Sequence, residues 1–374
     1  MILIATQCFP PDRGGIEGLM GGLADTLSAT GQPVAVYADQ ARTQVSSRSC
    51  SYDVHRFAGW KPWRRWRKAA AIRAAIRAGE ASGNTAPAVT GVYADSWKSA
   101  EKLGALPVPL AVLAHGMEFP AHPSARKAAR IRHALRCADT VIANSSYTAD
   151  QVAPYLRGKT RLIVINPPIG PQPPVLETMQ AELRARVGGA SPVLTTVARL
   201  EPRKGVDMVI RALPAIRQAY PGVIYLVAGG GDDRTRLEHL AREQGVLDCV
   251  HFLGMVDDAQ KAALYDCSDL FVMPVRREGS SVEGFGIVYR EANWYGVPVL
   301  AGRDGGAVDA VAEGSNGALC NGADLADVTA TILKLLGDEP GRQAMAARAA
   351  ELARGPAQWK TAVHEFLSAL TPSR

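Results

Sequence analysis

Short apolar runs recur along the chain at intervals that suit alternating strands and helices. They predict strands at 2–5, 34–37, 89–93, 110–114, 140–143 and 162–165 in the first half, and at 193–197, 224–228, 250–252, 270–273 and 297–301 in the second. Patterns with helical spacing fall between several of them, at 18–29, 125–136, 206–219, 235–244, 259–265 and 281–294. Repeated βα units indicate parallel sheets covered by helices on both faces, so the chain is predicted to be an α/β protein.

A proline-rich segment interrupts this alternation. Residues 166–174 contain five prolines, which exclude a helix and a central strand, so the segment is predicted to be a stiff interdomain linker. We expect an N-terminal domain over 1–168 and a C-terminal domain over 175–355, with ligands bound in the cleft between the carboxyl ends of their sheets. The final helical stretch, within 356–374, can belong to either domain and can pack back on the first.

Composition narrows the class of protein. The length of 374 residues allows two domains of ordinary size, and the apolar content of 47% and charged content of 21% are typical of soluble globular proteins. No apolar run approaches the ~18 residues of a membrane-spanning helix, and the first residues predict a strand rather than a signal peptide. The six cysteines are scattered without a CxxC pair, which favours reduced thiols of a cytosolic protein over metal ligands.

Two glutamates, Glu283 and Glu291, frame the most informative stretch of the chain. Eight helical residues rise about 12 Å, whereas a pair of carboxylates that shares one glycosidic bond lies about 5–9.5 Å apart. They are therefore not expected to act as one acid/base pair, but to hold two parts of a long, phosphate-containing ligand. If Gly284 and Gly286 precede a helix, the free backbone N–H groups at its N-terminus form an anion site.

Further candidate phosphate contacts follow predicted strands. Gly14 and Gly15 come after the first strand, where adjacent glycines allow close approach of a phosphate, although two glycines alone favour a tight strand–helix turn. Arg199 and Lys204 come after the strand 193–197 and suit a diphosphate, with solvated surface cations as the alternative. Glycines 229–231 suit a nucleotide or a plain turn, and His115 follows the strand 110–114.

The chain lacks the common metal and nucleophile motifs. We find no H-E-x-x-H, no Walker lysine loop, no G-x-S-x-G elbow and no acidic metal cluster in the sequence. Phosphate charge is then expected to be met by Arg, Lys and helix N-termini, with no metal and no cofactor.

Taken together, these residues resemble family 4 of the retaining glycosyltransferases, which have the GT-B fold of two Rossmann-like, doubly wound domains with the active site in the cleft between them. The resemblance follows the family's order over nearly the whole chain, and its pieces are Gly14-Gly15, His115-Gly116, Arg199-x4-Lys204-Gly205, Gly229-Gly230-Gly231, Phe252-Leu253-Gly254 and Glu283-x7-Glu291. Within the family the sequence is most similar to bacterial GDP-mannose-dependent mannosyltransferases of the phosphatidylinositol mannoside type.

The resemblance implies a role for each piece. It assigns the donor diphosphate to Arg199 and Lys204, with N–H donors at Gly15, Gly286, Ile287 and Val288. It assigns sugar hydroxyls to Glu283, the ribose to Glu291, and the transferred sugar to His115. It assigns contact with the nucleotide base to Met255 and Val256, and it places Gly230 near the donor. The implied reaction is hexose transfer with retention, in which the leaving phosphate serves as base; GDP-mannose is favoured, and UDP-hexoses remain open.

The first half of the chain carries the positive charge. Residues 1–168 hold 21 Lys and Arg against 11 Asp and Glu, a net charge of +10, whereas the remainder holds 21 against 25, a net charge of −4. Within 54–79, a stretch without acidic residues, tryptophans and cations alternate; the expected patch is Trp60, Trp63, Arg64, Arg65, Trp66, Arg67 and Lys68. This composition favours a shallow dock on an anionic membrane over a solvated basic loop or a single-stranded nucleic-acid site.

The leading hypothesis is thus a cytoplasmic glycosyltransferase bound peripherally to the inner face of the plasma membrane, with a nucleotide-sugar donor, a lipid-linked sugar acceptor and no nucleic acid. An epimerase or phosphorylase on the same fold would need further acid/base residues or a cofactor-bearing lysine. A non-catalytic sensor or scaffold is disfavoured because Arg199, Lys204, Glu283 and Glu291 are all present.

Overall fold

The computed structural model describes residues 1–41, 50–81, 87–120 and 122–371. They divide into two compact units, one formed by Met1–Pro168 with Trp359–Arg374 and the other by Ile169–Gln358. The chain passes from the first unit to the second within the proline-rich segment and returns at Gln358. Each unit contains one parallel sheet with helices on both faces, as the apolar runs predict.

The first unit is built on seven strands in the order β3-β2-β1-β4-β5-β6-β7. The strands are β1 (Ile2–Thr6), β2 (Val34–Asp39), β3 (Asp53–Phe57), β4 (Gly91–Ala94), β5 (Leu110–Ala114), β6 (Thr140–Ala143) and β7 (Arg161–Val164). The helices are α1 (Gly15–Ala29), α2 (Lys61–Ala81), α3 (Trp97–Ala100), α4 (Ala125–Leu135) and α5 (Ser146–Val152). The central strands β1 and β4 are buried along their whole length, which is why they read as continuous apolar runs.

The second unit is built on six strands in the order β10-β9-β8-β11-β12-β13. The strands are β8 (Val193–Val197), β9 (Ile224–Ala228), β10 (Val250–Gly254), β11 (Leu270–Met273), β12 (Val299–Gly302) and β13 (Gly317–Cys320). The helices are α6 (Glu177–Val187), α7 (Val206–Ala219), α8 (Arg234–Glu243), α9 (Asp258–Asp266), α10 (Ile287–Trp294), α11 (Ala307–Ala310), α12 (Leu325–Gly337) and α13 (Glu339–Arg354). Because β8 and β11 are neighbours, the loops that follow them lie side by side at the carboxyl edge of the sheet.

The last helix, α14 (Trp359–Ala369), belongs to the first unit. Phe366 is 1% exposed and packs between Trp359 and Tyr93, with ring centroids 5.6 and 6.3 Å away. The Tyr93 hydroxyl donates to the Phe366 carbonyl, and the Thr140 hydroxyl donates to that of Ala369 at 2.8 Å. The C-terminal residues therefore complete the core of the N-terminal unit.

Two edge strands were not predicted, and one predicted helix begins later in the structure. The edge strands β3 and β13 were not predicted, since polar and apolar residues alternate only weakly in β3 and β13 is four residues long and begins with glycine. The helix predicted over 281–294 begins only at Ile287, because residues 274–286 form a loop that ends in a left-handed glycine.

Candidate active site

The loop after β8 carries two predicted cations in contrasting environments. The Arg199 side chain is 75% exposed and donates to Glu201 Oε1 at 3.2 Å. Lys204 is 8% exposed and ends a single 3-10 turn, Pro202–Lys204, which Gly205 closes in a left-handed conformation. The turn directs the lysine inward while the arginine stays in solvent.

The ammonium of Lys204 binds the carboxylate of Glu283, which comes from the loop between β11 and α10. Arg203 Nη1 donates to the same oxygen, Glu283 Oε2, at 2.8 Å. The Glu283 side chain is 13% exposed. Burial alone would raise its pKa, but the attraction of Lys204 and Arg203 and their hydrogen bonds outweigh it and lower the pKa to about 2. Glu283 is therefore a buried, permanently ionised carboxylate at neutral pH.

Three loops at the carboxyl edge of the second sheet hold this carboxylate in place. The Gly306 N–H, in the loop after β12, donates to the Glu283 carbonyl at 2.8 Å. The Arg276 N–H, in the loop after β11, donates to the Arg203 carbonyl at 3.0 Å. Arg276 itself forms two hydrogen bonds to Asp207, at 2.9 and 3.1 Å, at the start of α7. The loops are thus joined to one another by backbone hydrogen bonds.

The second glutamate has a separate set of partners. Glu291 lies within α10, where Lys261 Nζ donates to Oε1 at 3.1 Å and the Tyr265 hydroxyl donates to Oε2 at 3.2 Å. Burial, then the charge of Glu291, raises the pKa of Tyr265 well above its ordinary value, so Tyr265 remains a donor. Glu283 precedes the helix, so the spacing argument built on eight helical residues does not apply. The structure nevertheless gives the two carboxylates different partners.

The N-terminus of α10 follows Glu283 by three residues. Its N-cap, Gly286, has φ +87°, and a Cβ there would lie 2.4 Å from the ring of Tyr289, so that only glycine fits. The amide groups of Ile287 and Val288 lie in the first turn, where the helix supplies no carbonyl partner. Together with the helix dipole they favour an anion at this end of α10.

The glycines after β9 have a packing explanation. A Cβ on Gly229 would lie 1.8 Å from the carbonyl oxygen of Ala198, because the loop after β9 crosses close to the loop after β8. At Gly230 it would lie 3.3 Å from the sulfur of Met255. Met255 is 79% exposed, whereas Val256 is half-buried. The exposed methionine follows β10, on the same edge of the sheet.

In the first unit, Gly14 is the N-cap of α1 and Gly15 its first residue, with no side chain capping the helix. Both positions thus leave backbone amides at the start of a 15-residue helix. This arrangement suits an anion and equally suits the strand–helix turn itself.

His115 follows β5 and hydrogen-bonds to the backbone carbonyl of Asp95, a buried residue that the sequence patterns did not indicate. Its Nε2 lies 2.8 Å from the Asp95 carbonyl, and since a carbonyl only accepts, Nε2 carries the proton. Within the described residues, Nδ1 has no hydrogen-bond partner. The Asp95 carboxylate is 2% exposed and accepts from Thr6, Gln7, Ser96 and Ser99. These four contacts fix the strand end that orients the imidazole.

The tryptophan-rich segment consists of Trp60, which precedes α2, and the first turns of that helix, and its three tryptophans are exposed. Trp60, Trp63 and Trp66 are 77, 58 and 51% exposed, and the rings of Trp63 and Trp66 stack with centroids 5.3 Å apart. Arg67 is exposed and lies over the ring of Phe57. Within the described ranges, no helix has both the length and the apolar character needed to cross a membrane.

Lys68 was wrongly assigned to this exposed patch. It is 2% exposed, and its ammonium contacts Asp39 Oδ1 at 2.7 Å and the carbonyl of Thr6. Arg64 binds the other oxygen of Asp39 at 2.8 Å. Arg65, also half-buried, donates to the side chain of Gln7 at 3.1 Å. These cations anchor α2 to the carboxyl ends of β1 and β2, a role that composition does not reveal.

Two family profiles cover most of the chain. Residues 13–172 match the profile described as Glycosyltransferase Family 4, and residues 182–352 match Glycosyl transferases group 1. The chain is 31% identical over 378 aligned residues to the GDP-mannose-dependent α-(1-6)-phosphatidylinositol monomannoside mannosyltransferase of Mycolicibacterium smegmatis. That alignment covers 96% of this chain and 95% of the relative.

Solved structures share the fold. The sucrose-phosphate synthase of Thermosynechococcus elongatus superposes with a TM-score of 0.76 at 20% identity, covering 98% of this chain and 97% of the other. Anabaena HepE in complex with UDP gives a TM-score of 0.76 at 22% identity, with 99% of both chains covered. Two parallel Rossmann-like sheets and these neighbours define the GT-B fold. With the full-length relative, they show that the chain belongs to glycosyltransferase family 4 and is a hexosyltransferase.

Proposed function

We propose that this glycosyltransferase moves mannose from GDP-mannose, with retention and without a metal ion, to a lipid-linked sugar acceptor. The observation that carries the proposal is the buried carboxylate of Glu283, bound by Lys204 and Arg203 three residues before the N-cap of α10. The carboxylate is a fixed acceptor for sugar hydroxyls, and Lys204 and the N-terminus of α10 offer positive charge to a diphosphate.

The positive charge at this cluster would stabilise the diphosphate as it leaves the sugar. Lys204, Arg199 and the first-turn amides of α10 offer positive or partly positive groups to a diphosphate that gains charge as the sugar leaves. Catalysis then rests on positioning and on electrostatic stabilisation of the leaving group. In the proposed reaction the acceptor hydroxyl attacks from the side on which the diphosphate departs, and the departing phosphate takes its proton. No protein nucleophile is required.

Glu291 is proposed to bind the ribose, and Met255 with Val256 to contact the base. Since the Lys261 ammonium and the Tyr265 hydroxyl already hold the Glu291 carboxylate, its orientation is set before a nucleotide binds. The preference for guanine and mannose is supported by the GDP-mannose dependence of the Mycolicibacterium relative. His115 is proposed to bond the transferred sugar through Nδ1.

Features of the first unit support the proposed acceptor and location. Three exposed tryptophans at one end of α2, next to the exposed Lys61 and Arg67, have the composition of a membrane-interface patch. We infer a peripheral site on an anionic leaflet, the inner face of the plasma membrane, where a lipid-linked acceptor is delivered.

A thermal-shift panel of GDP- and UDP-sugars tests the donor. GDP-mannose should raise the melting temperature most, because a ligand that binds only the native state stabilises it. A larger shift with a UDP-hexose would overturn the choice of donor but leave hexosyl transfer intact. If the protein bound a nucleotide sugar but neither transferred the sugar nor slowly released the nucleotide, the result would instead support a sensor.

The stereochemistry and the metal requirement need a transfer assay. Proton NMR of the product formed with a lipid extract as acceptor should show the α configuration of the donor retained. Activity should persist in EDTA. A β product, or complete loss of transfer on chelation, would refute the corresponding part of the proposal.

A further inference from the structure

Two cations share one oxygen of Glu283. Arg203 Nη1 and Lys204 Nζ both donate to Oε2, and the side chains of these three residues are 11, 10 and 13% exposed. Arg203 also pairs with Glu201, whose other oxygen pairs with Arg199, so three cations face two carboxylates and the cluster keeps one surplus positive charge. The cluster is thus already arranged for a further anion.

The two cations differ in how firmly they are held. Arg203 Nε donates to Glu201 Oε2 at 2.9 Å, and its backbone carbonyl accepts from Arg276. In the described parts of the chain, the Lys204 ammonium has no second hydrogen-bond acceptor besides Glu283. The arginine is therefore fixed from several sides, whereas the lysine is free to exchange its partner.

This difference matters when a diphosphate binds. If Lys204 were the sole counter-ion of Glu283, its movement to a phosphate would leave a buried carboxylate uncompensated, which is strongly unfavourable. Glu283 would then compete with the ligand for the ammonium. A second, immobile cation on the same oxygen removes that competition.

We propose that Arg203 is a positioning residue, the permanent counter-ion of Glu283 that releases Lys204 to bind the donor diphosphate. Arg203 acts through Glu283 and Lys204 and does not itself contact the ligand. The inference rests on the proposed function, since it takes the ligand of Lys204 to be a nucleoside diphosphate.

Binding of GDP and of UDP, measured by titration calorimetry, tests the proposal without involving sugar contacts of Glu283. Arg203→Ala should weaken binding of the preferred nucleotide about tenfold, because Lys204 then stays with Glu283. Arg203→Ala combined with Glu283→Gln should recover affinity to within about threefold of the wild type, because the competing charge is gone. Arg203→Lys should retain most of the affinity.

Arg217→Ala is the matched control. Arg217 lies in the same unit, is 39% exposed and pairs with the exposed Asp248, so its removal should leave nucleotide affinity unchanged. Melting temperatures without ligand show whether each variant is folded.

Two results would overturn the proposal. One is unchanged affinity in Arg203→Ala. The other is a loss that Glu283→Gln does not restore in a folded double variant, which would mean that Arg203 contacts the diphosphate or only supports the loop. If the wild type bound neither GDP nor UDP, the proposed function itself would fail before any variant was compared.

Discussion

The charge of Glu283 should stabilise the folded protein as well as its site. The fall in its pKa from the ordinary 4.5 to about 2 is equivalent to about 3 kcal/mol, at ~1.4 kcal/mol for each tenfold change in proton affinity. Because the folded pKa is lowered, this stabilisation is complete above pH 4.5 and is lost as the pH falls towards 2. Glu283→Gln keeps the shape and removes the charge, so at pH 7 it should cost about 3 kcal/mol.

Urea unfolding at pH 7, followed by circular dichroism, measures this cost. The control is Glu313→Gln, the same chemical change in a pair with Arg303 whose two side chains are 53 and 54% exposed. An exposed pair contributes about 0–1 kcal/mol, so the control should shift the unfolding midpoint only slightly. The gap between wild type and Glu283→Gln should also narrow as the pH falls from 4.5 towards 2.

Equal unfolding midpoints for the two variants would refute the reasoning, because the buried pair would then be worth no more than the exposed one. The same variant has a catalytic consequence. Loss of a fixed electrostatic contact to the reacting sugar costs about 10²–10³ in rate, so hexosyl transfer by Glu283→Gln should fall at least a hundredfold. Near-normal turnover would remove Glu283 from the site.

Three other perturbations probe the N-cap, the core and the surface patch. Gly286→Ala forces a Cβ against the Tyr289 ring at φ +87°. It should lower the rate of sugar transfer at least tenfold and destabilise the folded protein by about 1–3 kcal/mol. A variant with wild-type kinetics would show that this N-cap tolerates a side chain. Phe366→Ala should cost about 3–5 kcal/mol in unfolding experiments, and a loss below 1 kcal/mol would contradict its place in the core. Replacing Trp60 and Trp63 with serine should weaken co-sedimentation with anionic liposomes, and unchanged binding would favour a solvated helix.

The sequence predicts the position of a strand well when both faces of that strand are buried. Strand β11 is apolar throughout, and β8 combines apolar residues with two β-branched threonines; both follow turn residues, so their positions were predicted to the residue. The edge strand β3 has one face in solvent, and its sequence DVHRF shows only weak alternation. Pairing with β2 decides its conformation, and a local pattern carries no information about that partner.

The residues of the candidate site also fall into two groups, those that the sequence identifies and those that only the structure shows. Lys204 and Glu283 belong to motifs of known order, so the sequence alone nominated them. The sequence did not identify Arg203, because an arginine next to Lys204 has the pattern of a further surface cation. Its partner Glu283 is 80 positions away, and only the meeting of two loops shows that both cations bind one oxygen. Lys261 was missed for the same reason, since Glu291 is 30 positions distant.

The contacts of α2 also decide which mutations can report on membrane binding. Composition suggests removing Arg64, Arg65, Arg67 and Lys68 together, but three of these bond inward, and Lys68 neutralises Asp39 beneath the helix. Such a variant would leave the 7% exposed Asp39 uncompensated and loosen α2 itself. A loss of liposome binding would then reflect damage to the first unit. The cations that remain at the surface end of α2 are few, at about 1 kcal/mol each on an anionic leaflet, so the exposed tryptophans are the informative targets.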